Sequence, residues 1–202
     1  MDQATLARPA AQSGTVRVLS ARELPLFRDH LLRLDRDSRH DRFNGALDDD
    51  FLAIYAARCV SDGTIIIAYF ENGVVRGAAE LHQPDLSPGS LPEIAFSVEM
   101  AVRRQGVGTM LFTKLIEKAR SLGYPTLRIT TGAQNDAMRA LARRFGARLT
   151  FRHGESSGNI DITPMPDARP KTSVLEVARA MSDYNRACWR LWFSVAGLRK
   201  PS

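Results

Sequence analysis

Cysteine is scarce. Only Cys59 and Cys188 occur in 202 residues, far apart and in no C-x-x-C or Cys/His ligand spacing, which excludes a disulfide framework or a zinc site as the organising device. A reduced, cytoplasmic compartment fits that usage. No run of about 18 apolar residues appears, so there is no candidate membrane-spanning helix. Residues 1–14 are polar and rich in Ala, Gln and Ser, lack the apolar centre of a secretory leader, and read as a flexible tail. The histidines His30, His40, His82 and His153 show no ligand spacing, read as ordinary surface or core residues, and leave no metal to be expected. Acidic residues are nearly missing from one segment: between Arg103 and Arg152 eleven Lys/Arg face only Glu117 and Asp136. That segment carries +9 of a net +6, leaving about −3 for the rest of the chain. So concentrated a field suits a polyanionic small ligand or a nucleic acid; a solvated basic helix face is the plainer reading.

What is present reads as alternating strands and helices. Thr15–Leu19 has strand character, and Ala21 to about Phe43 a helical apolar face of Leu24, Phe27, Leu31, Leu32 and Leu34. Asp48-Asp49-Asp50 reads as the cap and acidic first turn of a helix through Phe51, Ile54, Tyr55 and Cys59. Thr64–Phe70 and Val74–Leu81 flank Asn72-Gly73, a two-residue hairpin turn. Pro-rich Gln83–Pro92 is a loop leading into a strand over Glu93–Val102. A helix from Val107 to Leu122 follows, with Val107, Met110, Leu111, Lys114, Leu115 and Lys118 at near-helical spacing, stopped by Gly123 and Pro125. Leu127–Thr131 reads as a short buried strand. Asn135 caps a helix carrying Met138, Leu141, Ala142 and Phe145, and strands over Ala147–Arg152 and Asn159–Thr163 complete the compact part. Beyond Pro166, Ser173–Gly197 reads as one amphipathic helix rich in Trp at its end; packing on the core, a subunit contact and a membrane surface are its possible uses, in that order.

The junction Arg103-Arg104-Gln105-Gly106-Val107-Gly108-Thr109, between a strand and a helix, carries the chemistry. Glycines let a backbone approach a ligand closely, and a helix start presents unpaired N–H groups and partial positive charge, so the junction suits an anion such as phosphate. It is not a P-loop, because the first lysine after Gly108 is Lys114. It is not the dinucleotide fingerprint either: Leu111 stands where the third glycine belongs, and no acidic residue ends the next strand, Thr130-Thr131-Gly132.

Arg-x-x-Gly-x-Gly (Arg103, Gly106, Gly108), the preceding Glu93-to-Val102 strand and the downstream Asn135-x-x-Met138-x-x-Leu141-x-x-x-Phe145-Gly146 together resemble the GNAT superfamily of N-acetyltransferases. The resemblance covers about 55 contiguous residues, and the hairpin and helices upstream extend it over Thr15–Thr163. It implies an α/β (mixed α+β) fold, with a twisted, mostly antiparallel sheet whose central strand pair is parallel and splayed, flanked by helices. A domain over 15–165 and a helical extension over 166–202 follow. The resemblance also implies acetyl-CoA as co-substrate. Amides of Gln105, Gly106, Val107, Gly108 and Thr109 would hold its pyrophosphate, with Arg103 and Arg104 nearby, and backbone groups of Val98, Met100 and Val102 would pair with the pantetheine arm. Asn135 would line that arm; a plain helix cap is the alternative.

Transfer to an amine requires deprotonation of a group whose reference pKa is about 10.4 for lysine. Glu93 and Glu99 share a strand face but lie ~20 Å apart at about 3.3 Å per residue, so one amine cannot use both. Glu99 lies at the phosphate end. Glu93 aligns with the strand glutamate that is the base in protein-lysine acetyltransferases of the superfamily; a solvent-facing strand residue is the alternative. The tyrosine that many members use to protonate the thiolate is replaced by Ala142, which leaves the acid unassigned; Ser97 is a polar neighbour, and Tyr124 is too near a helix terminus to substitute. Leu34-to-Phe43, with Ser38, Arg39, Arg42 and Phe43, resembles a segment near the start of bacterial protein-lysine acetyltransferase domains, the alternative being a polar helical turn with Arg39 and Arg42 as a surface pair. The sequence therefore implies an amine acceptor, protein lysine or small molecule, with a homodimer through the C-terminal helix as a possible assembly. It gives no support to membrane association and little to nucleic-acid binding. A non-catalytic acyl-CoA-binding module is the competing reading.

Overall fold

In the computed structural model, residues 14–45 and 47–163 are described. The tail expected at the N-terminus, apart from Gly14, and the C-terminal helix with its expected contacts lie outside them. The order is β1 (Thr15–Val18), a 3-10 turn (Ala21–Glu23), α1 (Leu24–Leu32), α2 (Arg36–Phe43), α3 (Asp49–Ser61), β2 (Ile65–Glu71), β3 (Val74–His82) and β4 (Glu93–Val98). A 3-10 turn (Met100–Val102), α4 (Val107–Ser121), β5 (Thr126–Gly132), α5 (Asp136–Arg144), β6 (Arg148–Arg152) and β7 (Glu155–Asp161) follow. Among the described residues no helix is long and apolar enough to cross a membrane.

One seven-stranded sheet runs β1-β2-β3-β4-β5-β7-β6. Every neighbouring pair is antiparallel except β4 and β5, whose register joins only Glu93 to Arg128 and Ile94 to Ile129. The mixed sheet with a splayed parallel pair implied by the sequence is therefore present. β2 and β3 read as nearly continuous apolar runs because both faces are covered. Ile66, Ala68 and Phe70 pack with Phe27, Leu31, Leu34, Ala56 and Cys59 from the α1/α3 side. Ile67 and Tyr69 join Leu111, Phe112, Leu115 and Ala119 of α4 on the other.

Several boundaries differ from the sequence reading. The single helical region over 21–43 is broken, because Asp35 Oδ1 accepts from Ser38 N at 2.9 Å and starts a separate helix there. On α3 the core takes Leu52, Ala56 and Cys59, leaving Phe51 and Ile54 exposed. On α4 the buried stripe runs through Phe112, Ile116 and Ala119, while Met110 is exposed. The strand expected over Glu93–Val102 stops at Val98, since Val102 N donates to Glu99 O and Arg103 N to Met100 O in the 3-10 turn. The last strand begins at Glu155 rather than Asn159; its polar Ser156-Ser157-Gly158 run has little strand character, but β5 and β6 satisfy its backbone on both sides. The Asn72-Gly73 hairpin is as read, with Glu71 paired to Val74.

Phe112 of α4 lies between two rings. It stacks on Phe96 of β4 at 4.8 Å and on Phe145, just beyond α5, at 4.2 Å between centroids. This stack fixes both helices against the strand from which the site is built. Phe112→Ala is expected to destabilise the domain by about 3–5 kcal/mol, read as a lowered urea midpoint at unchanged slope. A loss below about 1 kcal/mol would show that the three rings do not act as one packing unit.

Candidate functional site

The parallel pair provides the opening. Glu99 N donates to Arg76 O at 2.9 Å across the β3–β4 ladder, so alternation turns the backbone groups of Val98 and Phe96 away from β3 and toward β5. The β4–β5 register has ended by then, leaving these groups facing a gap. Arg103 Nε donates to Val98 O at 3.0 Å; the N–H of Val98 and both groups of Phe96 face that gap without a β5 partner in the register. Met100 and Val102, expected as strand-edge partners of a ligand, sit instead in the 3-10 turn with Met100 O and Val102 N already bonded.

Next to the gap the chain turns sharply. Arg104 has φ 59° and Gly106 φ 85°, with Gln105 between them, an alternation that directs successive N–H groups into one concavity. Only glycine adopts the Gly106 conformation without a Cβ penalty. No side chain caps α4, and its first internal bond is Met110 N to Gly106 O at 3.0 Å. The N–H groups of Val107, Gly108 and Thr109 are therefore first-turn donors at the positive end of a 15-residue helix. An ideal Cβ on Gly108 would approach Leu141 Cδ2 to 3.2 Å, which keeps α5 close to this turn.

A cavity of about 530 Å³ runs along loop and gap, lined by Phe96, Ser97, Val98, Val102, Arg103, Arg104, Gly106 to Thr109, Asn135 and residues of α5. The loop residues singled out in the sequence thus come together with β4 and α5; Met100 and Gln105 are not among the lining residues. Asn135 serves as a cap, its Oδ1 accepting from Met138 N at 2.9 Å, and it also lines the cavity. The arginines differ. Both are exposed, but Arg103 donates to Ser38 Oγ at 2.7 Å as well as to Val98 O, so it braces the loop against α2. Arg144 was not singled out by sequence; its Nη1 lies 3.4 Å from Thr109 Oγ1 and it lines the cavity. Its position as the last residue of a basic helix was the available signal.

A second cavity, of about 370 Å³, is lined by Glu93, Tyr55, His82, Thr130, Thr131, Glu155 and neighbours. It shares Asp41 and Arg42 with the first, so α2 borders both. Arg42 is no surface residue. Its Nε and Nη2 donate to Glu80 Oε1 and Oε2 at 3.1 and 2.8 Å, and Nη2 donates to Tyr55 Oη at 2.6 Å. The Glu80 side chain is fully buried, and the Tyr55 hydroxyl also donates to it. Burial alone would raise the Glu80 carboxyl, but the Arg42 charge, with His82 and Tyr55 beside it, outweighs this and holds it at about 2. Burial and the adjacent carboxylate push the Tyr55 phenol upward. Arg39 likewise turns inward, to Leu34 O and Leu32 O at 3.0 and 2.7 Å. The two arginines, for which a surface pair was the alternative reading, are thus anchors holding α2 in place.

Glu99, at the other end of the β4 face from Glu93, accepts from His30 Nδ1 at 3.0 Å, Arg33 Nε at 3.0 Å and Arg76 Nη1 at 2.8 Å. Burial opposes its charge; these three donors outweigh that and hold it at about 2. Such a carboxylate is a poor proton acceptor.

The sequence model described as the acetyltransferase (GNAT) family matches residues 28–147. Among solved structures, the GNAT domain of S. lividans PAT is 17% identical with a TM-score of 0.62, over 73% of this chain and 90% of that one. Salmonella typhimurium yncA, solved with its cofactor acetyl-CoA, is 20% identical at TM-score 0.56, over 77% and 99%. A phosphinothricin acetyltransferase from Sinorhizobium meliloti, in complex with AcCoA, is 18% identical at TM-score 0.56, over 79% and 97%.

The Glu80–Arg42 pair has a pH signature. Because the folded carboxyl lies near 2 and its ordinary value is 4.5, its stabilisation is complete above about pH 4.5 and is lost as pH falls toward 2. Glu80→Gln leaves Arg42 unpaired, is expected to cost about 3–5 kcal/mol at neutral pH, and flattens that acid limb in melting temperature against pH. An undiminished limb in the variant would remove Glu80 from this role.

Proposed function

The chain belongs to the GNAT acetyltransferase family, and from that premise we propose that it transfers an acetyl group from acetyl-CoA to a primary amine by direct attack on the thioester. One observation carries the reading: the anion-holding turn opens into the β4–β5 gap, and further along β4, sharing Asp41 and Arg42 with it, lies a second cavity bearing Glu93. The pyrophosphate occupies the N–H groups of Val107, Gly108 and Thr109, with Arg104 and Arg144 supplying mobile positive charge and Arg103 holding the loop to α2. The pantetheine arm bonds to Phe96 and Val98 as an added strand, filling the place where β5 has diverged. This replaces the assignment to Met100 and Val102.

In the second cavity Glu93 removes the amine proton, directly or through one water. The amine nitrogen then bonds to the thioester carbon, the carbon–sulfur bond breaks, and CoA leaves as a thiolate whose conjugate acid resembles a cysteine thiol, about 8.5. Such a leaving group does not demand a dedicated acid, consistent with Ala142 in the tyrosine position. Asp41, Glu93 and Glu155 give the cavity wall three carboxylates against Arg42, whose charge Glu80 balances. The wall therefore favours a cationic acceptor such as a protein lysine or small-molecule amine. Ala142 is also the observation that favours the second reading, a module that binds acyl-CoA without transfer.

Acetyl-CoA at about a hundred times its Kd is expected to stabilise the protein by about 2.7 kcal/mol, with no comparable effect of NADH or ATP. No thermal shift would sink both readings. CoA release across a panel of amines and lysine peptides separates enzyme from module. Glu93→Gln should lower kcat about 10²–10⁴-fold and abolish the acidic limb of the pH–rate profile; an unchanged profile excludes Glu93 as the base.

A further inference from the structure

Three residues that this mechanism leaves unused form a continuous line. Ser97 Oγ lies 2.9 Å from His30 Nε2, and His30 Nδ1 lies 3.0 Å from Glu99 Oε1. They come from α1, β4 and the residue just after β4, and the His30 ring is fully buried between its partners. The proton positions follow from chemistry. Glu99 is held ionised at about 2 and so only accepts. In the neutral imidazole one nitrogen donates and the other accepts; Nδ1 therefore carries the proton, and Nε2 accepts from the Ser97 hydroxyl. Ser97 is itself buried, and with its proton committed to His30 its oxygen keeps lone pairs free for an electrophile, the disposition of a nucleophile and not of an acid. Arg33 and Arg76 fix the carboxylate from the other side, so Glu99 is the positioning residue of the line. Ser97 also lines the cavity assigned to the cofactor, and the N–H of Val98, the residue after it, faces the same gap.

We propose that Ser97 is a base-activated nucleophile that takes the acyl group from a bound thioester, making the domain a thioester hydrolase when no amine is present. This rests on the reading that acetyl-CoA fills the first cavity. The Oγ–carbonyl carbon bond forms and the carbon–sulfur bond breaks. The serine proton passes to His30 Nε2 and from there to sulfur, releasing free thiol, while the gap-facing N–H of Phe96 receives the developing oxyanion and the N–H of Val98 stays with the pantetheine arm. Water then attacks the ester, one of its protons returns through His30 to Ser97 as the carbon–Oγ bond breaks, and acetic acid leaves as acetate. Glu93 takes no part: four residues along the strand, ~13 Å away at about 3.3 Å per residue, it belongs to the amine reaction.

The test uses the full chain with two donors, acetyl-CoA without amine and p-nitrophenyl acetate, followed by acid quench and peptide mass mapping. One added acetyl group on the Ser97 peptide from both donors is expected, with a burst of nitrophenolate equal to the enzyme concentration. Ser97→Ala should abolish label and burst, and His30→Gln should slow acylation about 10²–10⁴-fold. Because the label is read on the unaltered chain, a misfolded variant does not decide the outcome. An unlabelled Ser97 in protein that acetyl-CoA stabilises overturns the nucleophile and leaves the transferase reading standing. A labelled Ser97 from p-nitrophenyl acetate in protein that acetyl-CoA does not stabilise upholds the nucleophile and sinks the CoA reading instead.

Discussion

Two parallel strands that pair for two residues and then separate leave backbone donors and acceptors facing a gap inside a protein, where unpaired polar groups are costly. The β4–β5 divergence after Ile94 and Ile129 is therefore the constraint on which the rest of the molecule depends. In the proposed reading a ligand arm with alternating amide groups completes the ladder, which needs no side-chain chemistry. The stack of Phe96, Phe112 and Phe145 holds α4 and α5 against the diverging edge, so the helix N-terminus and the strand line one cavity.

The second organising element is α2, a polar helix with almost no apolar face to hold it. It is kept in place by ions and hydrogen bonds: Arg42 to Glu80 and Tyr55, Arg39 to the end of α1, and Ser38 to Arg103 of the loop. Buried ion pairs contribute little net stability but fix a unique geometry when every group is satisfied. That serves an element bordering two cavities, because its position sets both at once. Ser38 also ties the glycine loop directly to the helix whose next turn, with Asp41 and Arg42, borders the second cavity.

Much of this was legible along the chain. The Asn72-Gly73 hairpin, the Asp48 cap, the Asn135 cap and the glycine turn before α4 are local, and each depends on residues within one turn of the backbone. The polar β7 was misplaced because strand pairing on both sides overrode weak propensity. The end of β4 was missed because the 3-10 turn that closes it is built from apolar residues with no Gly or Pro to mark it. Arg39 and Arg42 at i,i+3 had the spacing of a surface pair, and nothing nearby in sequence announced Glu80, 38 residues away.

The sequence alone determined most of the order of elements, the parallel central pair through its family resemblance, and the glycine turn that opens α4, since capping, turn and glycine chemistry act over a few residues. The tertiary structure decided which charges are free and which are committed. Arg103 and Arg42 are spent on bracing, Glu99 is locked among three donors, and Ser97, His30 and Glu99 meet although the histidine lies 67 and 69 residues from its partners. Contacts of that separation depend on how the helices pack across the sheet, and burial then fixes the ionisation of groups that look alike in one dimension.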